Sequence, residues 1–528
     1  MSRPASTSPR TGRSAFFVGA GILLSRIAGF IRVRVFGYYF GLESDAADAF
    51  NAAIRIPNFL QNLFGEGALS ASFIPVYSSL VARGDRREAD RVAGAVAGIL
   101  SLMIAVIVLL GVLATPFLIG AIAPGFTGAK RELTIQIVRI LFPGAGLLVL
   151  SAWCLGVLNS HYKFLLSYTA PVLWNAAMIA TLAIYGRPDL PRLAVILAWG
   201  SVVGSALQFA VQVPVVLKLA PDLKISLDMV SEHVRTVLRN FVPAFFSRGV
   251  VQVSAYIDTW LASYLPTGAM TGLTNAQLLY TLPVSLFGMS VSAAELPAMS
   301  GALGTDPAGA EAVRRRLDAG LRQIAFFVVP SAVAFLVLGD VIAAGLLQTG
   351  QFRAVDAVYV WGILAGSSLG LLPSTLGRLY SSAYYAFRDT RTPLRYALVR
   401  VVLTTILGYV FAFYLPGWLG IPEIWGAAGI TVSSGIAGWL EMVLLRRTLN
   451  ARIGKTGLPP SFTFRLLIAA LAAAAIAWIV KLGLPSLYPI LTAIAILGPY
   501  GLVYFGVTAA FRIPEMSNLV SRLQRIRR

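Results

Sequence analysis

The sequence predicts an all-α polytopic membrane protein of about fourteen transmembrane helices, arranged as two six-helix halves plus two C-terminal helices. Three observations carry this. Of the 528 residues, 57% are hydrophobic and 12% charged, with a mean hydropathy of +0.76. Soluble domains carry about 25% charged residues, and no water-soluble core hides this much apolar surface. Second, apolar segments of roughly 20 residues, long enough to cross a bilayer, recur between polar breaks. Third, with the N-terminus inside, thirty of the 43 Lys and Arg residues fall in or beside inside segments. Only Lys130, Arg131, Arg187, Arg192 and Arg353 fall outside. This is a strong positive-inside bias.

The chain opens with a basic, polar tail over 1–14. The apolar stretch that follows contains arginines and lacks a small-residue cleavage site, so it reads as a retained first helix rather than a signal peptide. The first half, 15–217, holds spans near 15–40, 46–82, 92–122, 132–157, 165–185 and 193–217. The second of these is the least hydrophobic and is kept because removing it breaks the charge topology. The second half, 236–445, holds spans near 236–264, 274–302, 320–347, 356–385, 394–415 and 421–445. Two further spans, 464–483 and 487–511, are almost free of charge and precede a basic tail over 512–528. An even span count puts both termini on the cytoplasmic side.

The net charge of +20 is therefore mostly a topological signal, with anionic lipid headgroups as the expected contacts. It does not point to nucleic acid. A single cysteine, Cys154, leaves no internal disulfide, and two histidines, His161 and His233, exclude a histidine-rich metal site. Eight basic residues interrupt spans or their ends: Arg26, Arg32, Arg34, Arg55, Arg139, Arg248, Arg378 and Lys481. Each costs roughly 2.5–3.5 kcal/mol on insertion scales, so a water-filled cavity or a partner is expected. Lys481 and Arg139 are placed to snorkel. Arg378 either lines a cavity or pairs with Asp356 or Glu441.

An internal repeat links the halves. Ser70-Ala-Ser-Phe-Ile-Pro75-Val-Tyr-Ser78 resembles Ser292-Ala-Ala-Glu-Leu-Pro297-Ala-Met-Ser300; Ile56-Pro57 parallels Leu282-Pro283, and Ser25-Arg26 parallels Ser247-Arg248. Both copies start inside, giving a parallel repeat of the kind found in transporters that bind substrate near the midplane. An enzyme acting on polyprenyl phosphate would need clustered carboxylates, and the 23 acidic residues are scattered. Gly454-Lys455-Thr456 looks like the end of a P-loop, but Leu449 stands where the upstream glycine is required, so no nucleotide is expected.

Several ordered motifs resemble the MurJ/MviN family of lipid II flippases, in the multidrug/oligosaccharidyl-lipid/polysaccharide exporter superfamily. They are Ser25-Arg26-Ile-Ala-Gly29-Phe-Ile-Arg32, Asp48-Ala-Phe50, Ile56-Pro57-Asn58, Gly65-Glu66-Gly67-Ala68, Ala123-Pro124-Gly125-Phe126, Leu158-Asn159 before Lys163-Phe164, Ala170-Pro171 before Asn175, Gly350-Gln351-Phe352, and the run from Tyr385 through Arg388-Asp389 to Pro393. The resemblance implies a bacterial inner-membrane transporter that carries the undecaprenyl-pyrophosphate-linked peptidoglycan precursor outward by alternating access. Its partners would be membrane lipids and the cell-wall synthesis machinery. Related exporters of other lipid-linked oligosaccharides share the architecture, as do drug/cation antiporters, but an arginine-rich first half suits an anionic substrate.

By motif match the resemblance implies pyrophosphate-binding roles for Arg26, Arg32 and Arg55. Asp48 is either a latch to an arginine or a helix cap, and Glu66 a gate, a charge partner or a structural acceptor in an unwound turn. Arg34 lies about 200° from Arg32 on a helix, so both face one cavity only if the helix unwinds near Gly29 or Gly37. This chain lacks the family's Arg-Asp at Arg32-Val33, its paired arginines at Gln61-Asn62, and its Ala-Asp-Arg element, where Gln277-Leu278 stand. Arg248 is the candidate replacement for that missing charge. Asp258 is a buried carboxylate candidate for a coupling cation, sodium or proton, with Thr404 a plausible companion and Gly408 offering no side chain. No other cofactor is expected, and the tail of the lipid is expected beside spans 13 and 14.

Overall fold

The computed structural model describes residues 9–186, 189–302, 307–485 and 487–517; the remaining residues are not described. Its contacts divide into two compact units. Unit 1 is Met1–Met270 with Thr349–Gln351, and unit 2 is Thr271–Gln348 with Phe352–Arg528. The described residues form helices throughout, with no strand element.

Unit 1 contains α1 (Pro9–Phe40), α2 (Asp45–Ala53), α3 (Arg55–Gln61), a π-helical segment (Asn62–Leu69), α4 (Ser70–Arg83), α5 (Arg86–Ile122), α6 (Gly128–Ser160), α7 (Phe164–Tyr185), α8 (Leu190–Leu219) and α9 (Glu232–Ser263). The second predicted span is thus one path of three short helices and a widened turn. Ser44 caps α2, its Oγ accepting from Ala47 N at 3.0 Å, which satisfies one of the free N–H groups of a helix start. Gly65 and Gly67 sit in the π segment, where weak helix formers allow the ladder to widen. Gly84 closes α4 in the left-handed region at φ 81°, as a C-terminal glycine permits.

The segment 220–231 between α8 and α9 is extended and fastened along α5. It climbs first: Asp222 N donates to Asp90 Oδ2 (3.0 Å) and Ser226 N to the Gly94 carbonyl (3.4 Å). It then returns, Asp228 pairing with Arg91 at 2.6 Å and Ser231 Oγ donating to Glu88 Oε1 at 2.8 Å. The close approach requires glycine: a Cβ at Gly94 or Gly98 would collide with the backbone carbonyls of Lys224 or Ser226. Because α9 packs on α4, α5 and the π segment, the spatial boundary falls at Met270 and not in the 218–235 link that separates the sequence halves.

Unit 2 contains α10 (Ala269–Pro283), which begins two residues before the unit boundary, a second π-helical segment (Val284–Met289), α11 (Ser290–Ala302), α12 (Pro307–Val337), α13 (Gly339–Leu347), α14 (Ala354–Ala386), α15 (Arg391–Phe413), the short α16 (Leu415–Leu419), α17 (Gly426–Ile453), α18 (Pro460–Gly483) and α19 (Pro489–Ala510). The π segments follow Ile56-Pro57 in one unit and Leu282-Pro283 in the other, so the same local deviation recurs at the positions the internal repeat matches.

In unit 2, α14 packs most heavily on α17 and α15 on α17, while α18 and α19 pack on each other and on α12 and α13. Pro330 lies inside α12. It lacks the N–H that would bond the Phe326 carbonyl four residues earlier. Tyr504 of α19 supplies the missing donor, its hydroxyl 2.6 Å from Phe326 O, and Tyr500 donates to Pro330 O at 2.7 Å. An apolar helix is thereby anchored through one backbone carbonyl that a proline freed and through the carbonyl of that proline itself.

Among the described residues, eleven helical segments are long and apolar enough to cross a membrane. The other three predicted spans correspond to α1, to the broken path α2–α4, and to α9. These carry Arg26, Arg32, Arg34, Arg55, Arg239, Arg248 and Asp258, and charge of this density lowers their hydropathy.

Two stability outcomes follow. Gly94→Val should lower the unfolding temperature of the detergent-solubilised chain, since overpacking costs typically about 1–3 kcal/mol; an unchanged melt would contradict the fastened link. Tyr504→Phe should cost about 1 kcal/mol or more, and that cost should shrink in a Pro330→Ala background, where the backbone recovers its own donor. A double-mutant cycle of thermal unfolding measures this.

Candidate functional site

Three of the expected cationic residues are placed by α1 and α3 of unit 1. Arg26 is exposed, whereas Arg32 is half-buried. The Arg32 Nε donates to Asn175 Oδ1 at 3.0 Å, and its guanidinium lies 5.2 Å from the centroid of the Trp174 ring. Asn175 is itself oriented, its Nδ2 donating to the Pro171 carbonyl at 3.0 Å, and Trp174 Nε1 donates to Ser201 Oγ at 3.1 Å. Pro171 thus has a part in holding Arg32: it aims the amide that receives the guanidinium. The helix α1 is continuous through Gly29 and Gly37, so no unwinding turns Arg32 and Arg34 to a common face.

Arg55 begins α3, where α2 ends at Ile54 and the chain resets. Its Nη1 donates to Thr259 Oγ1 of α9 at 2.5 Å, and Tyr256 Oη donates to the Arg55 carbonyl at 3.2 Å. Asp258 lies within electrostatic range of the same guanidinium. The expected cation-coupling carboxylate therefore lies in the field of a resident positive charge, whose repulsion a bound cation would have to overcome. Thr404, its proposed companion, belongs to unit 2. It is buried in α15, and its hydroxyl has no hydrogen-bond partner among the described residues. No group of three or more His, Cys, Asp or Glu residues suited to a metal ion occurs among the described residues.

Asp48 is 1% exposed. Of the alternatives for Asp48, the helix cap is corrected, since Ser44 caps α2; Asp48 is a charge partner that accepts from Lys130 Nζ at 2.8 Å and from the Gly268 N–H at 2.9 Å. Lys130 also lies 3.2 Å from Asp45 and sits over the Phe126 ring, while Thr267 Oγ1 donates to Asp45 at 2.7 Å. The cluster ties the start of α2, the start of α6 and the turn after α9. Sequence reasoning saw Lys130 only as an outside exception to the charge bias. That exception was the available signal, since a cation kept against the bias needs a partner.

The side chains of Glu66 and Arg248 lie outside the described residues; Glu66 falls within the π segment Asn62–Leu69. Lys481, expected to snorkel, instead pairs with Asp340 at 2.5 Å and lies 4.4 Å from the Trp478 ring centroid. Neither pairing considered for Arg378 forms. Asp356 Oδ2 accepts from the Arg353 N–H at 2.7 Å, and Glu441 pairs with Arg400 at 3.2 Å.

A family model described as lipid II flippase MurJ matches residues 36–498. The chain belongs to the lipid II flippase MurJ family. A relative named lipid II flippase MurJ, from Burkholderia cenocepacia, is 32% identical over 446 residues, covering 83% of this chain and 84% of the relative. A probable lipid II flippase MurJ from Vibrio cholerae is 30% identical over 452 residues, covering 84% and 83%. Among solved structures, a lipid II flippase MurJ in an inward closed conformation superposes with a TM-score of 0.76 at 24% identity, over 94% of this chain and 98% of that one. An inward-facing MATE multidrug resistance transporter of the MOP superfamily gives 0.62 at 19% identity, over 81% and 94%. MurJ membership places the charged helices α1–α4 and α9 in a membrane transporter fold.

Removing Lys130 should leave Asp48 buried without its cation, a change that typically costs about 3–5 kcal/mol. Lys130→Ala should therefore unfold at a markedly lower temperature, and Asp48→Asn combined with Lys130→Met should recover much of the loss. Equal melting of Lys130→Ala and the parent chain would show that the pair holds nothing.

Proposed function

We propose that this chain is a transporter that moves lipid II, the undecaprenyl-pyrophosphate-linked peptidoglycan precursor, from the inner to the outer leaflet by alternating access. It works in the bacterial inner membrane with both termini cytoplasmic. The observation that carries the reading is the family match over 36–498, together with relatives of that printed name that align over more than four fifths of either chain. The charge bias of the loops supports the orientation.

The substrate chemistry fits the residues. Pyrophosphate is a multivalent anion, and arginine meets it with a planar fork that stays charged and gives paired hydrogen bonds. Arg26, exposed on α1, is the first contact. Arg32 and Arg55 are held in place by Asn175 and Thr259 and add fixed positive charge. Arg248 supplies the charge that other family members carry near the position of Leu278. Asp48 keeps the α2 entrance in register, and Glu66 acts in the widened turn as gate or charge partner. The apolar pair α18–α19 takes the lipid tail as a groove. Membrane potential or an ion gradient drives the cycle, with Asp258 and Thr404 as the groups for a sodium ion or proton. Membrane lipids and the cell-wall synthesis machinery are its surroundings in the cell.

Complementation of a strain depleted of its lipid II flippase tests the proposal. The parent chain should restore growth and cell shape, while Arg26→Ala and Arg55→Ala, expressed at equal levels, should rescue poorly or not at all. A well-expressed parent chain that fails to rescue sinks the reading.

A further inference from the structure

Tyr280 of α10 aims its hydroxyl at α14, 2.7 Å from Ser374 Oγ and 3.3 Å from the Gly370 carbonyl. Ser374 and Arg378 are four residues apart on α14 and so share one face. Arg378 is exposed, although α14 is buried along most of its length. On α15, Arg400 is half-buried. Both guanidinium groups act electrostatically on the Tyr280 hydroxyl. Arg378 lies eight residues before the end of α14 and Arg400 nine after the start of α15. At about 1.5 Å per residue, both sit roughly 12–14 Å from the α14–α15 turn.

The charges there do not balance within the described chain. Glu441 is committed to Arg400 at 3.2 Å. Asp356 is occupied at the far end of α14. Among the described residues no carboxylate pairs with Arg378. A cation at this depth costs roughly 2.5–3.5 kcal/mol on insertion scales, and among the described residues of unit 2 no carboxylate lies within ion-pair distance to offset it. The face of α14 that carries Arg378 also carries the Ser374 hydroxyl bonded to Tyr280, and Arg400, paired with Glu441, lies at the same depth on α15. This donor-rich, net-positive arrangement suits an oxyanion with several acceptor oxygens.

We infer that Arg378, Arg400, Tyr280 and Ser374 form an anion-binding site on unit 2 for the phosphate or pyrophosphate group of a membrane lipid. Arg378 provides the uncommitted fork. Arg400, shared with Glu441, provides the second cation, and the two hydroxyls complete the donor set. The choice of pyrophosphate as the physiological ligand rests on the lipid II reading above; the site itself rests on the geometry of unit 2.

The test uses the full chain in nanodiscs of zwitterionic phosphatidylcholine, with undecaprenyl pyrophosphate and phosphatidylglycerol titrated in separate arms. Hydrogen bonds to charged groups are worth about 1.5–3 kcal/mol, so Arg378→Ala should weaken undecaprenyl pyrophosphate binding roughly tenfold or more. Arg378→Ala with Arg400→Ala should weaken it further. Arg378→Lys should recover part of the affinity, and Glu441→Gln should bind at least as tightly as the parent. Arg378→Gln, which keeps polar bulk without charge, serves if the alanine variant misfolds. A parallel loss for phosphatidylglycerol assigns the site to phospholipid headgroups generally, and a loss confined to undecaprenyl pyrophosphate assigns it to the precursor. Binding by folded Arg378→Gln and Arg378→Ala/Arg400→Ala variants that equals the parent's overturns the site. Complementation by the parent chain is a separate readout, so the flippase reading and this site fail independently.

Discussion

Hydrocarbon offers no hydrogen bonds, so each backbone polar group within the spans must find its partner inside the protein, and each charge a partner or a polar cavity. That single constraint explains the contacts described in both units. In unit 2 the carbonyl freed by Pro330 is taken up by Tyr504, and the adjoining Tyr500 secures a second. In unit 1 the buried Asp48 is met by Lys130 and a backbone N–H, Arg32 by an amide that Asn175 presents, and Arg55 by a hydroxyl on α9. A polar partner fixes direction as well as distance. These pairs therefore set the rotation of their helices in a way that apolar packing alone does not.

The constraint also sorts the helices by purpose. Those that satisfy a simple apolar criterion build the frame, and α18 and α19 are the extreme case. The helices that fail it are α1, α2–α4 and α9, which concentrate arginines and several carboxylates. A chain that bears the insertion cost of such residues uses them for something water-like inside the membrane, and an anionic headgroup is that kind of cargo. The amide partner of Arg32 and the hydroxyl that orients Arg55, beside which Asp258 also lies within electrostatic range, are consistent with this. At Arg32 an amide positions the guanidinium without cancelling its charge, so its field remains available to an incoming anion.

Much of this was legible in the sequence. Apolar segment length and the alternation of Lys and Arg marked out the helical regions, eleven of them long and apolar enough to cross a membrane among the described residues, because both signals are averages over many residues. The repeat of Ile56-Pro57 at Leu282-Pro283 marked the places where both units widen into π turns. What escaped was pairing between segments distant in the chain. Lys130 and Asp48 are 82 residues apart, Arg32 and Asn175 143, and Lys481 and Asp340 141. No local periodicity encodes which distant polar group a charge will meet. Lys481 was read as reaching for the headgroups because its position near a helix end permits that; a carboxylate from α13 changed the outcome. The link 220–231 likewise reads as a loop, since the signal for its seat lies in two glycines of a different helix.

The way that link is seated bears on how such a chain can drift over evolutionary time. Its carbonyls rest against Gly94 and Gly98, and its side chains largely point away, with Ile225 and Val230 among the most exposed apolar residues of the chain. Contacts made by the main chain are indifferent to the identity of the residue that makes them, yet they are strict about register. Apart from Asp228 and Ser231, whose side chains hold Arg91 and Glu88, the link can exchange side chains freely, while one inserted or deleted residue between Asp222 and Asp228 would pull at least one end off its anchor. Divergence at this join should therefore be read in letters changed rather than in length gained, and the two glycines beneath it should outlast the residues they support.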